Sequence, residues 1–588
     1  MQGMNVAGVV NPNAVGYLVT PSSSMDYLLL CSDQYRDLSF SENSLLYAHY
    51  PLRGWDGSLF KAEVLVYTGE MRLENPYNQN ALDRGILSTY GDEFERRICT
   101  DQKYIRATPI ACINLDSGEH ISIGIPPSET CFYFVDSQQL NSYYRSPQTT
   151  FKFGFLSGTE IEIGLDIRHF GTGIYGWGDA RMMLVAGRTG SGKTVLVGCL
   201  LGAYSVHKDL GILILDPQGQ FSNLDSNGNY VGELGKNPSK WSWKVSEILK
   251  RAGRINDVLV IKSSQINFGD DIKTFLFLLK RYKFWDFLRP GIRGEKIEMA
   301  EIELANYLDN LKQSKVKIAS LKWNDALFNS LVEMITIGYR DQDEQKRIIY
   351  DKEQGVNPPS KKAGVHWNKV ISYFDPTYRP YSLEKVIQQV LIGKKIVIIS
   401  TENEDDEMRD IYHTKLFSSL RRKAQKIYYD SLSKGTTTNV NALIIIDEAQ
   451  RIIPEYPEND TQKQIVEIVK DSINTGRKLG IGWLFATQSV TNIDKRIWSQ
   501  IGTKFIGYGF GTGADRERLA EISADKNIIN RYHRMPMPLQ TGKYWFMVQG
   551  ELVGIGNGNQ CLFIDSFSSQ SNIFKFNPHL FPQTTGTI

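Results

Sequence analysis

Residues 187–194 read Gly-Arg-Thr-Gly-Ser-Gly-Lys-Thr, preceded by the apolar run Met182-Met183-Leu184-Val185-Ala186 and followed by a second from Val195 to Leu201. The order is that of a strand, a glycine-rich turn and a helix start. In such a turn Gly187, Gly190 and Gly192 let successive backbone N–H groups, among them those of Arg188, Thr189 and Ser191, converge on phosphate oxygens. Lys193 brings a positive charge to the β- and γ-phosphates, and Thr194 offers a hydroxyl to Mg²⁺. The stretch predicts a nucleoside-triphosphate site at a strand end of an α/β sheet.

Residues 442–450 read Ala-Leu-Ile-Ile-Ile-Asp-Glu-Ala-Gln. The unbroken run Leu443–Ile446 suits a strand buried on both faces of a parallel sheet. Asp447 would then stand at the strand's C-terminal end, placed to hold Mg²⁺, with Glu448 next to it to polarise an attacking water. That pairing favours ATP hydrolysis over phosphoryl transfer to a metabolite. No Asn-Lys-x-Asp base-reading motif occurs, so ATP is the expected nucleotide. The 254 residues between Lys193 and Asp447 hold further buried-strand candidates at 212–215, 258–261 and 396–399. Beyond Glu448 an amphipathic helix with Ile465, Ile468, Val469 and Ile473 on one face leads to a strand over 482–486. Gln488 follows that strand, where a polar side chain reaches the γ-phosphate or its water.

These segments, with Leu-Asp-Pro-Gln-Gly-Gln-Phe-Ser at 215–222, Ile-Ile-Ile-Asp-Glu-Ala-Gln-Arg-Ile-Ile-Pro at 444–454 and the run from Ile473 to Ser489, resemble HerA-type ATPases of the HerA/FtsK superfamily in order and spacing. Gln450 and Thr475 depart from the family's usual Asp-Glu-Ala-His-Arg and Glu-Gly-Arg-Lys. The resemblance implies a RecA-like motor with a helical insertion, preceded by a small N-terminal β-barrel. It also implies a homo-hexameric ring moving double-stranded DNA, with a NurA-like nuclease or another effector contacting the barrel. A ring site needs a cation from the neighbouring subunit. Arg477, in the turn after the long helix, and Arg181, before the phosphate-loop strand, match basic residues of the family.

The expected organisation is a barrel over 1–170, a motor core over 171–235 and 391–560, a mainly helical insertion over 236–390, and a tail over 561–588. Short alternating runs at 15–19, 27–31, 63–67, 121–125 and 131–135, separated by turn residues, point to the barrel. Helical spacing of Phe275–Leu279, of Leu304, Leu308 and Leu311, and of Leu327, Leu331 and Met334, broken by Pro290 and a loop at 355–364, points to the insertion. Phe284 to Phe287 read as core.

Charge divides the chain: residues 1–170 carry 12 Lys and Arg against 20 Asp and Glu, whereas the whole chain is at +2. An acidic barrel is no DNA grip, but the basic remainder suits one. Candidate contacts are Lys495 and Arg496, and Arg421, Arg422 and Lys423 closing the helix before the 442–446 strand. No segment reaches the roughly 18 apolar residues of a membrane span, and no signal peptide is recognisable, so a soluble cytoplasmic protein without membrane contact is expected. The six cysteines form no CxxC pair and the eight histidines no HExxH spacing, which argues against a disulfide framework or zinc site. Two readings stay open: an ATP-driven DNA translocase or helicase, and an ATPase scaffold regulating a separate antiphage effector, a nuclease or an NAD-degrading enzyme.

Overall fold

The computed structural model describes residues 13–32, 35, 44–54, 57–74, 102–144, 146–173, 175–234, 243–285, 295–324, 326–331, 359–436, 438–523, 526–555 and 560–582. The fold is mixed α/β. Six antiparallel strands, β1 (Gly16–Ser23), β2 (Asp26–Cys31), β3 (Leu45–Arg53), β4 (Leu59–Glu74), β5 (Gln102–Asn114) and β6 (Cys131–Phe134), close into a barrel in the order β1-β2-β5-β4-β3-β6. Alternation fills it: Leu18, Tyr27, Leu29, Leu46, Val64 and Ile105 point inward and are almost fully buried. The alternating run 121–125 forms no strand, and β3 and β5 were not anticipated.

Eleven strands build the large sheet. They are β7 (Thr150–Leu156), β8 (Glu162–Asp166), β9 (Met182–Ala186), β10 (Gly211–Asp216), β11 (Val258–Lys262), β12 (Ile396–Ser400), β13 (Ala442–Ile446), β14 (Ile481–Thr487), β15 (Thr503–Gly507), β16 (Tyr544–Gly550) and β17 (Cys561–Ser566). The order is β11-β12-β10-β13-β14-β9-β15-β16-β17-β7-β8. The seven strands from β11 to β15 are parallel, and the last four are antiparallel. Period-two geometry splits β13 between two cores: Leu443 and Ile445 join one layer, Ile444 and Ile446 the other. A strand buried on both faces has no polar position to spare, which is why it reads as an unbroken apolar run.

Three boundaries differ from the sequence reading. Residues 150–166 leave the barrel expected over 1–170 and form the far edge of the large sheet, where Phe151, Phe153, Ile163 and Leu165 are fully buried in its core. Residues 561–566 of the expected tail are β17, and Gln570–Phe576 is a helix. The insertion over 236–390 contributes β11 to the parallel sheet, between a helix over Val245–Arg251 and the helices Ile272–Arg281, Glu295–Gln313, Pro359–Ile371 and Leu383–Leu391. The expected loop at 355–364 is helical from Pro359, a residue suited to a first helical turn. Phe284 and Trp285 are buried in the core, whereas Asp286, Phe287, Pro290 and Met334 lie outside the described residues.

Glu63, buried in β4, ties the barrel to the following helix by accepting from Tyr143 Oη at 2.7 Å and Gln139 Nε2 at 2.9 Å. From the other side of the barrel's boundary Arg531 Nη1 donates to Tyr67 Oη at 2.9 Å. No described helix is long and apolar enough to cross a membrane.

Candidate nucleotide site

The phosphate loop connects β9 to helix α1 (Lys193–Ser205), whose side chains are buried except Thr194. Gly190 and Gly192 adopt φ of +83° and +86°, and a Cβ on Gly192 would stand 2.4 Å from the Tyr544 ring. Only glycine suits both constraints. The loop is held from below by Gly187 N donating to Thr487 O and Arg188 N to Tyr508 O, each at 3.1 Å. It borders a cleft of about 1490 Å³ lined also by Gln218, Gln220, Glu402, Glu448, Gln488 and Tyr544.

Lys193, 7 % exposed, directs Nζ to Glu448 Oε1 at 3.6 Å. Glu448 sits just past Asp447 at the end of β13, in left-handed backbone (φ +52°) that turns its carboxylate back over the loop. Gln488, the residue after β14, donates Nε2 to Glu448 Oε1 at 2.6 Å, and its own Oε1 accepts from Thr189 Oγ1 at 3.2 Å. Asp447 is buried, and its Oδ2 has no hydrogen-bond partner. Burial pushes its carboxyl up to about 7; Lys193 works against the shift, and the carboxylates of Glu448 and Asp216 add to it. Ser191 Oγ is likewise buried without a partner.

Asp216, at the end of β10, accepts three backbone N–H bonds at 2.9 Å, from Gln220, Phe221 and Ser222. This curls the loop so that Gln220 Oε1 receives the Thr194 hydroxyl at 2.9 Å. Asp216 and Gln220 lie within the quoted 215–222 segment, but no role for either was legible there. Gln450 also joins the site, donating Nε2 to Glu448 Oε2. Lys193, Thr194, Glu448 and Gln488 thus line one cleft, with Asp447 buried beside Glu448 and within the field of Lys193.

Arg181 and Arg477 do not. Arg181 precedes β9 and Arg477 lies in the last turn of helix α3 (Asp460–Leu479), not in a turn after it. Both stand at the N-terminal ends of the parallel strands, whereas the phosphate loop stands at the C-terminal ends. Arg181 pairs with Glu551 at 2.6 Å, and Arg477, 59 % exposed, is 3.5 Å from Asp179. The Arg421–Lys423 triplet does not close its helix, since helix α2 (Asp406–Ser433) continues for ten residues beyond it. Arg496 is engaged by Asp494 at 2.8 Å and Glu467 at 2.5 Å, and Arg421 by Asp471 at 3.2 Å. Thr475 is exposed, with its hydroxyl donating to Asp471 O at 2.7 Å.

The family model described as "Helicase HerA, central domain" matches residues 151–470, from β7 through the phosphate loop and Asp447-Glu448 into α3. The chain belongs to the HerA helicase central-domain family. No curated protein matches it. Among solved structures it is similar to VirB4 of Thermoanaerobacter pseudethanolicus, at 11 % identity over 72 % of this chain and 98 % of that one, with a TM-score of 0.37. The bacterial conjugative coupling protein TrwBΔN70 is similar at 11 % identity, 74 % and 93 % coverage, and a TM-score of 0.37. The genome packaging NTPase B204 from Sulfolobus turreted icosahedral virus 2, in complex with ATP-γS, is similar at 9 % identity, 66 % and 97 % coverage, and a TM-score of 0.26. This HerA-family protein is a P-loop NTPase by its motif and membership.

Proposed function

We propose that this protein is an ATP-hydrolysing ring motor, a homo-hexamer that translocates on or unwinds double-stranded DNA while a nuclease or other effector engages its N-terminal barrel. The observation that carries the ATPase part is the Glu448 carboxylate, buried between Lys193 and Gln488 above an open phosphate loop. In this reading the backbone amides of 187–194 cradle the phosphates, and Lys193 moves from Glu448 to the β/γ-phosphates. Glu448 Oε1 accepts a proton from the attacking water as its oxygen bonds to the γ-phosphorus and the bond to the β–γ bridging oxygen breaks. Gln488 reports γ-phosphate occupancy. The Thr194 hydroxyl and the unpartnered Oδ2 of Asp447 are hard oxygen donors that suit Mg²⁺, which would neutralise phosphate charge.

Arg181 and Arg477 lie away from their own loop, so in a ring the exposed Arg477 acts on a neighbour's site and not on its own. Mixing Arg477→Ala with Lys193→Ala subunits then restores part of the activity, because a mixed interface carries one intact loop facing one intact arginine. Mass photometry reads the assembly directly. A fully active monomer at micromolar concentration would sink the ring.

The DNA part is tested by salt. Duplex contact through Lys and Arg releases counterions, so stimulation of hydrolysis by linear double-stranded DNA falls steeply as salt rises. The acidic sequence of 1–170 favours the barrel as a protein-docking rather than a DNA-gripping element, and it also keeps the scaffold reading in play. Hydrolysis that responds to the partner protein, yet is identical with and without duplex at low and moderate salt, would replace the motor with the scaffold.

A further inference from the structure

Glu448 is gripped on both oxygens, and the two grips are unequal. Oε1 accepts from Gln488, whose amide oxygen is held by the hydroxyl of Thr189, an exposed residue of the phosphate loop. Oε2 accepts from Gln450, whose amide oxygen lies 2.9 Å from Thr487 Oγ1, a hydroxyl shared with Ser489 O at 2.8 Å. Thr487 is fully buried at the end of β14. One arm therefore hangs from a loop that a nucleotide must contact, and the other is anchored in the sheet.

We propose that Gln450 is a positioning residue: it fixes Oε2 of Glu448 so that Oε1, once Gln488 turns toward the γ-phosphate, faces the attacking water. This rests on the reading of Glu448 as the base. The geometry gives Gln450 no other task at the cleft, since its donor and acceptor ends are both committed to this chain. A carboxylate held by one oxygen keeps its second oxygen directed along a fixed axis, whereas an unheld carboxylate on a left-handed backbone swings about its χ angles and loses the attack geometry.

The test is steady-state kinetics with a cycle. Gln450→Ala lowers kcat about tenfold and leaves KM for ATP within about twofold, the loss of one charge-assisted hydrogen bond made to the base and not to the substrate. Gln450→Glu, which sets a carboxylate against Glu448, falls further. Gln450→His, which keeps an N–H donor, recovers part of the rate, and Gln450→Leu does not. Combining Gln450→Ala with Glu448→Gln gives no loss beyond Glu448→Gln alone, because the two act through one group. Should Gln450 variants fail to fold, Thr487→Val unpins the amide without touching Glu448 and gives a smaller fall in kcat at unchanged KM. Wild-type kcat in Gln450→Ala, losses that multiply in the double variant, or a rise in KM without a fall in kcat would overturn the proposal. Wild-type turnover in Glu448→Gln is a different result, one that removes the base itself.

Discussion

β13 is bracketed by two residues in left-handed backbone, Asn441 (φ +43°) before it and Glu448 (φ +52°) just after it, and its two ends are built in opposite ways. At the N-terminal end the Asn441 side chain is saturated: Oδ1 accepts from Phe170 N and Gly171 N at 3.0 and 3.1 Å, and Nδ2 donates to Asp209 O at 2.9 Å. Nearby Arg254, fully buried, spends its guanidinium on Asp257 and on the carbonyls of His207, Leu210 and Lys394. At the C-terminal end Asp447 keeps a buried oxygen with no partner, and Glu448 and Lys193 meet only loosely, at 3.6 Å. Left-handed strain and an unmet buried polar atom each cost on the order of 1–3 kcal/mol. The closed end offsets this with bonds inside the chain. At the open end Gln488 and Gln450 hold Glu448, but no described group meets the buried Asp447 oxygen, so one end serves the fold and the other the chemistry.

The largest expected effect tests that division at the open end. Asp447→Asn lowers Mg²⁺-supported turnover by about a thousandfold, within the range for loss of electrostatic stabilisation at a reacting centre, and Glu448→Gln does so by at least a hundredfold while ATP binding persists. Lys193→Ala weakens binding itself. Yet Asp447→Asn does not destabilise the fold. Because burial raises this carboxyl to about 7, above its ordinary value, the stability linked to its neutral form is present at acid pH and lost as pH rises toward and through 7. The asparagine lacks that loss. Urea midpoints without Mg²⁺ at pH 8 should therefore be equal or higher in the variant; a clear drop would mean that Asp447 supports the fold and that the two ends do not differ.

The closed end gives the converse. Arg254→Leu removes the guanidinium that serves three backbone carbonyls and Asp257, of which Asp257 keeps Lys395 Nζ and His207 O keeps Leu210 N, a loss of about 3 kcal/mol of the kind seen when one member of a buried polar network is removed. The urea midpoint falls, and turnover per folded molecule stays within twofold. A variant with wild-type stability and impaired turnover would reverse the assignment of the two ends.

The legibility of these regions in the sequence followed the range of the interactions. The phosphate loop and Asp447-Glu448 are strings of adjacent residues whose geometry is local, and Gln488 was placed by the strand that ends just before it. The Glu448–Gln488, Gln450–Thr487 and Thr194–Gln220 bonds join residues brought together only by sheet order. Strand-end position was the one signal available for them. β7 fell inside the expected barrel boundary for a related reason: its partner across the sheet, Ile564 opposite Leu156, lies some four hundred residues away. At Pro359 a residue that opens a helix was read as one that breaks it.

The smallest effect separates orphaned polar groups at the open end from orphaned groups elsewhere. His413 lies within α2, fully buried against Phe417, which packs on Trp483 of β14, and neither ring nitrogen has a hydrogen-bond partner. Burial pushes its pKa down to about 3, and the neighbouring Arg409 adds to the shift. The folded value lies below the unfolded one, so the contribution of the neutral ring is complete above about pH 6.5 and is lost as pH falls toward 3, at about 1.4 kcal/mol per unit. His413 does not line the nucleotide cleft; if orphaned groups matter for chemistry only where a cleft exposes them, His413 is solely a stability liability. His413→Leu, similar in bulk, should leave turnover unchanged at pH 7.5 and move the urea midpoint little there. At pH 5 it should retain about 2 kcal/mol that the natural protein loses. Equal acid sensitivity in both proteins would mean that His413 is not the group that titrates. A loss of turnover at pH 7.5 would mean that an unpartnered group within the helical layer communicates with the nucleotide end, and the contrast between the two ends of β13 would no longer account for where the chemistry resides.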